Sequence, residues 1–347
     1  MREPPVQVAH DELLALVRRE WDGGVDELAH LPIGFGAHHW AGSSGGHRRL
    51  FVTFDRLLPK RDAEELEATY NAAAALAAIG LDFVLAGRRS ASGSYTRLLA
   101  DGAVSATSWV DGRTGDGPPA DDTEAVECAT VLAQLHATPA PEGTPPWKPI
   151  LDPLRFADDL TRRVAARWDV GPYAESAQKM LRERLEQIGT WTTSYGELTR
   201  RALAARDTWV PTHGEPDTGN QLLTSTGRLL VDWESLKLAP RERDLGTLIA
   251  AGFAWEAAYG IAEPDWQMVE MFDLEWRLSE IVEYSAWFSS PHSGSASDVV
   301  AFEGLREELH RDEWHDRERT PWFGAGAQLR RGVTGTTGAS PRIGTSL

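Results

Sequence analysis

The chain has 347 residues, of which 41% are hydrophobic and 25% charged, and its formal net charge is −17. This length favours two lobes or domains over a single core. The acidic balance argues against a protein that coats nucleic acid or an anionic membrane, and it suits a cationic small-molecule ligand. One cysteine, Cys128, excludes an internal disulfide and fits a reducing cytoplasm. A signal peptide and a membrane span are not expected, because no long apolar run is present.

The first part of the chain predicts a small antiparallel sheet interrupted by one helix. Residues 11–20 have the spacing of a short amphipathic helix. Short apolar segments bounded by Gly, Ser or Asp follow, a pattern typical of strands in a meander. Residues 61–79 predict a helix with carboxylates in its first turns and Gly80 at its end. We assign residues 1–110 to this first lobe and expect residues 111–122 to form a loop between lobes.

The remainder predicts a mainly helical lobe over residues 123–323. Cys128, Val131, Leu132 and Leu135 recur at helical spacing and indicate a buried stripe. The Gly-rich residues 324–347 are expected to be a disordered tail. Further helices are predicted at 153–169, at 174–205 and between about 243 and 313, with a loop and a hairpin at 208–235.

The stretch "HGEPDTGN" contains the candidate catalytic residues of this lobe. His213, Glu215 and Asn220 reproduce the spacing of the protein-kinase catalytic loop, with Glu in place of Asp. Twelve residues after Asn220, Asp232 follows an apolar segment. Mg²⁺ prefers one or two protein oxygens together with phosphates and water, which Asn220 and Asp232 would supply. The alternative is a tight loop in which Asp217 or Asn220 bonds to its own backbone.

Four segments in this order resemble the aminoglycoside phosphotransferase family, which also includes choline and homoserine kinases. They are "LAQLHAT" (132–138), "THGEPDTGN" (212–220), "LLVDWES" (229–235) and "APRERDLGTL" (239–248). The resemblance implies an α+β, bilobal protein-kinase-like fold with a small antiparallel nucleotide-binding lobe and a mainly helical lobe. It also implies Mg²⁺ and ATP or GTP as the phosphoryl donor.

The resemblance assigns roles to the loop residues. Glu215 takes the position of the catalytic base, Asn220 and Asp232 those of the metal ligands, and His213 packs and hydrogen-bonds the loop. Asp217 stands where the family often has His, so it is an alternative base or an acceptor-side carboxylate. Two further residues behind the loop, Asp244 and His136, are expected to be structural.

The sequence signal for a nucleotide-binding site in the first lobe is less specific. Gly34 and Gly36 flank a turn where backbone N–H groups can approach phosphates. His38 and His39 point to opposite faces if the segment is extended, which excludes a paired metal site. We take His38 as the candidate phosphate contact, against the alternative of one surface and one packed histidine. Trp109 lies in the segment that corresponds to the family's purine-contacting hinge.

The family's strand lysine is missing. Thr53 stands near that position, so either Lys60, Arg49 or Arg56 is the substitute, or the nucleotide is held differently. Glu64, Glu65 and Glu67 are candidates for the helix glutamate that would pair with such a cation, and solvation in the first turns of the helix explains them equally well.

The acceptor site is predicted on a late helix. Trp276, Glu280, Glu283 and Trp287 recur at helical spacing and form one aromatic and acidic face, suited to a cationic acceptor. Ordinary core tryptophans beside a solvated edge are the alternative. Glu234 is a further candidate for the acceptor or for the metal, and the alternative is that its side chain is simply solvated.

Three functions remain open from the sequence. The first is a kinase that phosphorylates a hydroxyl of an antibiotic or related metabolite and so confers resistance. The second is a pseudokinase-like protein that binds a nucleotide or metabolite without chemistry. The third is a metabolic choline- or homoserine-type kinase. In each case the expected partners are small molecules, and the protein is expected to be a monomer or homodimer.

Overall fold

The computed structural model describes residues 3–34, 37–57, 62–115 and 117–315. These residues form the predicted α+β, bilobal fold, in which a small antiparallel sheet precedes a mainly helical lobe. The strands are β1 Glu27–Leu31, β2 Ala37–Ser44, β3 His47–Arg56, β4 Thr96–Leu99, β5 Gly102–Ser108, β6 Arg113–Thr114, β7 Val210–Thr212, β8 Gln221–Thr224, β9 Gly227–Leu230 and β10 Lys237–Ala239. The helices are α1 His10–Glu20, α2 Ala63–Ala78, α3 Asp122–Ala137, α4 Pro153–Ala165, α5 Ala174–Glu183, α6 Leu185–Ala204, α7 Glu242–Ala251, α8 Glu256–Tyr259, α9 Trp266–Phe288 and α10 Ala296–His315.

The sheet of the first lobe has strand order β1-β2-β3-β5-β4 and is antiparallel throughout. Successive side chains of β3 point to opposite faces because a strand has a period of two residues. Leu50, Val52 and Phe54 are fully buried in an apolar cluster with α1. Thr53 and Asp55 lie on the opposite face, which we call the cleft face. The alternation of β3 therefore fixes which residues can face a ligand.

Helix α2 connects the sheet to the helical lobe and confirms the helix predicted at 61–79. It begins after Asp62, whose Oδ1 accepts the backbone N–H of Glu64 at 2.9 Å, a typical N-terminal cap. Its later turns pack through Leu76 against Trp233 and Leu236, which follow β9. This contact ties α2 to the segment that carries Asp232.

The helical lobe is built around α9, which packs against α4, α5, α6, α7 and α10. The single helix predicted at 174–205 is divided into α5 and α6 at Arg184, whose φ of −110° and ψ of 5° lie outside the helical region. In α3 the predicted stripe is buried at Cys128, Leu132 and Leu135. None of the helices in the described ranges has the length and apolar character needed to cross a membrane.

The connection between the lobes differs from the plain loop predicted at 111–122. Within it, β6 pairs antiparallel with β8 in a three-stranded sheet of order β6-β8-β9. The Gly115 N–H donates to the Thr218 carbonyl at 2.8 Å, and the Thr218 N–H donates to the Gly117 carbonyl at 2.9 Å. The connection is thus bonded directly to the turn that precedes Asn220.

Candidate active site

A buried carboxylate holds the start of the 213–220 loop. Asp244 accepts the backbone N–H of His213 at 2.6 Å and that of Gly214 at 2.7 Å, one on each oxygen. His136 Nε2 lies 3.0 Å from Asp244 Oδ2, and His136 Nδ1 lies 2.5 Å from the Tyr259 hydroxyl. Asp244 and His136 therefore occupy the structural positions that were expected of them.

Asp244→Asn is expected to lower the free energy of unfolding by about 3 kcal/mol, because it weakens a buried, charge-assisted network. Burial alone raises the pKa of Asp244, but the hydrogen bond and charge of His136 and then the charge of Arg243 outweigh it, so the pKa lies below its usual value. A depressed pKa stabilises the fold above the unfolded value of about 3.9, and this stability is lost as pH falls through the folded-state pKa.

Thermal unfolding as a function of pH checks this prediction. Wild-type protein should lose stability as the pH falls below about 4, and Asp244→Asn should show a shallower acid dependence. An identical acid dependence in the two proteins would show that Asp244 is not the titrating group.

Glycine is required at position 214 both by the backbone conformation and by the neighbouring side chain of Arg243. Its φ is +100°, a region that residues with a Cβ rarely adopt. An added Cβ would overlap the guanidinium of Arg243. That guanidinium is held in place because its Nη1 donates to Thr212 Oγ1 at 3.0 Å and to the Ser235 carbonyl at 2.8 Å.

Gly214→Ala is expected to destabilise the protein by about 2–3 kcal/mol, from backbone strain together with the overlap. Gly252→Ala is the matched control, because Gly252 also has a positive φ (71°) but has nothing within 4 Å of an added Cβ. The control should cost only about 1 kcal/mol. Urea unfolding of both variants measures the difference, and equal losses would remove the role assigned to Arg243.

His213 packs inside the loop, as predicted. It is fully buried, its Nε2 donates to the Val231 carbonyl at 2.8 Å, and its ring meets Trp233 edge-on with centroids 4.7 Å apart. Burial lowers the pKa of His213, which keeps the imidazole neutral near pH 7. These contacts fit a structural residue better than a titrating one.

The two competing carboxylates of the loop have different contacts. Asp217 Oδ1 accepts the backbone N–H of Asn220 at 3.1 Å and so caps the 3-10 turn Thr218–Asn220. The Glu215 side chain is exposed, and its backbone carbonyl accepts the side-chain amide of Asn220 at 2.8 Å. Asp217 thus performs the local backbone role of the alternative interpretation, while Glu215 is an exposed residue of the loop.

Asp232 lies beside Asn220 because the β8–β9 hairpin returns the chain to the loop. The Val231 N–H donates to the Asn220 carbonyl at 3.0 Å. Asp232 itself lies two residues beyond β9 and adopts a left-handed conformation, with φ 67° and ψ 60°. Asp is among the residues that tolerate this conformation, which is frequent at functional sites.

Glu234 joins Asp232 in a group of carboxylates. Burial, followed by the charge and hydrogen bond of Asp232 and the charges of Asp55 and Glu215, raises the pKa of Glu234 well above its usual value. This environment, in which the Oε2 atom of Glu234 is buried, argues against the alternative that Glu234 is simply solvated. It places Glu234 beside a candidate metal ligand, and an acceptor role stays a prediction.

The donor set fits Mg²⁺. The Asn220 amide nitrogen donates to the Glu215 carbonyl, so the amide oxygen is the atom of this side chain that would bind a metal. Burial and then the neighbouring carboxylates of Asp232, Asp55 and Glu215 raise the pKa of Glu234, and a divalent cation would offset the charge of such a group. Among the described residues, no three His, Cys, Asp or Glu side chains could hold a metal alone. Asn220 and Asp232 would therefore need phosphate and water oxygens to complete the shell, as Mg²⁺ sites commonly do.

The histidine on the cleft face is His39, which corrects the assignment of His38. His39 Nδ1 lies 3.2 Å from Thr53 Oγ1. Burial lowers the pKa of His39 to about 4, and the charge of Asp232 acts in the opposite direction. His38 instead packs on the other face, with ring contacts to Trp40 and Phe54. Both faces of the sheet are covered, so alternation alone could not identify the cleft side.

Of the remaining candidates for nucleotide contact, the structure describes Gly34 and Trp109. Gly34 has a φ of +67°, and an added Cβ would lie 3.1 Å from Nε2 of His39, which puts this turn on the cleft side. Trp109 is half-buried, and its ring lies 6.3 Å from that of Phe51 in β3. Gly36 and Lys60 lie outside the described residues.

The arginines proposed to replace the strand lysine have other partners. Arg49 Nε donates to Asp22 at 2.7 Å, and Arg56 pairs with Asp101 at 3.3 Å. Both arginine side chains are about half exposed. Neither contact directs a cation toward Asp232.

The predicted acceptor face is a real helix face, but its residues differ in exposure. All four residues lie on α9. Glu280 is buried, Glu283 is exposed, and the Trp287 indole N–H donates to Asp298 of α10 at 2.7 Å. Trp276 is half-buried. The helical period predicted the shared face, but it could not reveal that α10 covers part of it, and the acceptor role stays a prediction.

One pair of residues was missed by the sequence analysis. Glu65 of α2, one of three glutamates considered there, forms ion pairs with Lys237 of β10 and with Lys148. Only four lysines occur in the chain, which was the one available signal. The glutamate on the helix therefore has a lysine partner, but from the helical lobe rather than from β3.

The two-lobed α+β architecture, with a small antiparallel sheet before a mainly helical lobe, is that of the protein-kinase-like phosphotransferases. The sequence model of the phosphotransferase enzyme family matches residues 31–272, and the chain belongs to that family. It is thereby placed among the small-molecule kinases.

The chain is also similar to individual proteins and solved structures. Protein StrN of Streptomyces griseus is 29% identical over 266 residues, which cover 72% of this chain and 79% of StrN. The structure of spectinomycin phosphotransferase APH(9)-Ia with ADP and spectinomycin is similar at a TM-score of 0.67 and 15% identity, over 86% of this chain and 94% of that chain. A choline/ethanolamine kinase family protein from Mesorhizobium loti is similar at a TM-score of 0.51 and 16% identity, over 93% of this chain and 99% of that chain. At these identities the structural likeness shows a shared fold.

Proposed function

We propose that this protein transfers the γ-phosphoryl group of ATP or GTP to a hydroxyl of an antibiotic or related metabolite, with Mg²⁺ as the cofactor. The observation that carries the proposal is that the 213–220 loop and the β8–β9 hairpin are hydrogen-bonded to each other. The Val231 N–H bonds to Asn220, and the Asn220 amide bonds to the Glu215 backbone, so a base candidate and two metal-ligand candidates are held in one bonded unit. We further propose that it acts in the cytoplasm, where nucleoside triphosphates are available.

In the proposed reaction, Glu215 orients the acceptor hydroxyl and takes its proton late in the transfer. The acceptor oxygen forms a bond to the γ-phosphorus as the bond to the β–γ bridging oxygen breaks, and the nucleoside diphosphate leaves. Mg²⁺ held by Asn220 and Asp232 would neutralise the phosphate charge. Asp244 keeps the loop in place through its two backbone hydrogen bonds.

The acceptor is proposed to be a cationic, hydroxyl-rich antibiotic or metabolite of the aminocyclitol type. The net charge of −17 and the exposed Glu215 favour a cation near the loop. The solved structure with a TM-score of 0.67 contains ADP and spectinomycin, which supports both a nucleotide and this acceptor class. Resistance would follow if the phosphorylated compound no longer bound its target.

A protein that binds nucleotide without transfer is the second candidate. Thr53 stands where the family has a strand lysine, and Arg49 and Arg56 are paired elsewhere. This candidate predicts nucleotide binding with no acceptor-dependent turnover.

A nucleotide-consumption screen separates these possibilities. ATP and GTP would each be combined with Mg²⁺ and with spectinomycin, other aminoglycosides, macrolides, choline or homoserine. The proposal predicts turnover that depends on an aminocyclitol or related antibiotic. Turnover with choline or homoserine alone would favour a metabolic kinase, and binding without turnover would favour the second candidate.

A further inference from the structure

The ion pair between Glu65 and Lys237 crosses between the two lobes. Glu65 lies in the first turn of α2, whose chain neighbours are strands of the first lobe. Lys237 lies in β10 of the helical lobe, 172 residues further along the chain. Lys148 also reaches the same carboxylate, at 3.3 Å. Glu65 therefore receives two cations from the helical lobe.

Lys237 is much the more enclosed of the two lysines. Its side chain is 18% exposed, whereas that of Lys148 is 69% exposed. Burial lowers the pKa of Lys237, and the hydrogen bond and charge of Glu65 oppose that effect. An enclosed ammonium group depends on its partner more than an exposed one does. Lys148 thus serves as a natural control for Lys237.

The backbone around Lys237 is attached to both halves of the candidate active site. In the β7–β10 pair, Lys237 is opposite Thr212, and Thr212 Oγ1 donates to the Lys237 carbonyl at 3.0 Å. Thr212 directly precedes His213 of the loop. In the other direction, the segment from Asp232 leads into β10 through the turn that packs on α2. A cation at Lys237 can therefore align α2 with the loop and with Asp232 together.

We propose that Lys237 is a positioning residue: by holding Glu65, it fixes α2 and the cleft face of the sheet relative to the loop and Asp232, the structural task that a strand lysine would otherwise perform. The proposal rests on the proposed function, because the aligned groups are those of the phosphoryl-transfer site. Thr53 leaves β3 without a cation at the expected position, and Glu65 is nevertheless ion-paired. The task of aligning the two lobes thus falls to a lysine of the helical lobe.

The test compares Lys237→Met with Lys237→Arg and with the control Lys148→Met. Lys237→Met is expected to lower kcat/KM for the nucleotide about 100-fold, because displacement of reacting groups by about 1 Å has effects of that size. The acceptor KM should change little. Lys237→Arg should recover most of the loss, and Lys148→Met should remain within about 3-fold of wild type, as expected of an exposed pair.

Glu65→Gln and the double variant Glu65→Gln/Lys237→Met decide whether the pair acts as a unit. If it does, both single changes and the double change should lose the same factor in kcat/KM. Losses that multiply, or a folded Lys237→Met protein with wild-type kcat/KM, would overturn the proposal. An effect of Lys148→Met equal to that of Lys237→Met would also overturn it.

Amide hydrogen exchange and the affinity for ADP with Mg²⁺ test the role of Lys237 without requiring phosphoryl transfer. Lys237→Met should speed exchange in the first turns of α2 and weaken ADP binding, while Lys148→Met should leave both unchanged. If wild-type protein transfers no phosphoryl group, the proposed function fails. Hydrogen exchange and ADP affinity then become the two tests of whether Lys237 positions α2. Unchanged exchange in α2 would then overturn it.

Discussion

Asp232→Asn is expected to abolish Mg²⁺-dependent turnover of the nucleotide while the fold remains intact. Asp232 supplies the one carboxylate of the candidate metal pair, and metal stabilisation of the transferred phosphoryl group contributes several kcal/mol. A loss of about 4 kcal/mol corresponds to a rate roughly 1,000-fold lower. Steady-state turnover at saturating nucleotide and a titration of Mg²⁺ together measure the effect.

The fold should survive because Asp232 is exposed and the substitution preserves its shape. Removing a negative charge beside Glu234 should also relieve the repulsion between these groups. Asp207→Asn, at an exposed aspartate of the 3-10 turn Arg206–Thr208, is a matched control that should leave turnover unchanged. Near-wild-type turnover by Asp232→Asn, with the same dependence on Mg²⁺, would contradict the metal assignment.

Glu215→Gln is expected to lower kcat by about 100- to 1,000-fold with little change in nucleotide affinity, because it keeps the shape of the side chain and removes the base. Asp217→Asn should cost less. Asp217 caps the turn before Asn220, and an amide oxygen can still accept that N–H. If Asp217 also faces a cationic acceptor, its effect should appear mainly in the acceptor KM.

Parallel kinetics of the two variants, with varied acceptor and with varied nucleotide, separate these roles. A crippled Asp217→Asn protein beside an active Glu215→Gln protein would reverse the assignment of the base. Equal losses in both would indicate that the loop as a whole, rather than one carboxylate, had been disturbed.

The candidate site was predictable where its residues are close in sequence. The spacing of His213, Glu215 and Asn220 depends on local backbone geometry, and the hairpin that returns Asp232 is short. The alternative interpretation of the loop also holds in part, because Asp217 does bond to the local backbone. Local hydrogen bonding by Asp217 is therefore compatible with the catalytic role proposed for Glu215 in the same loop.

Contacts between distant segments were not predictable in the same way. The Glu65–Lys237 pair joins residues 172 positions apart, and neither residue lies in a motif. Strand alternation showed that His38 and His39 face opposite ways, but the choice between faces depends on where α1 packs. On α9, the helical period gave a shared face, while the contact of Trp287 with α10 depends on tertiary packing.

We expect the Glu215–Asn220–Asp232 site to transfer a phosphoryl group to an acceptor hydroxyl. Mass spectrometry of spectinomycin and related aminocyclitols, after incubation with the protein, Mg²⁺ and ATP or GTP, tests it most directly. We predict that wild-type protein adds one phosphoryl group to an acceptor of this class and that Asp232→Asn adds none. An acceptor phosphorylated equally by both proteins, or nucleotide bound by the wild type with no phosphorylated product across the acceptor panel, would contradict the claim.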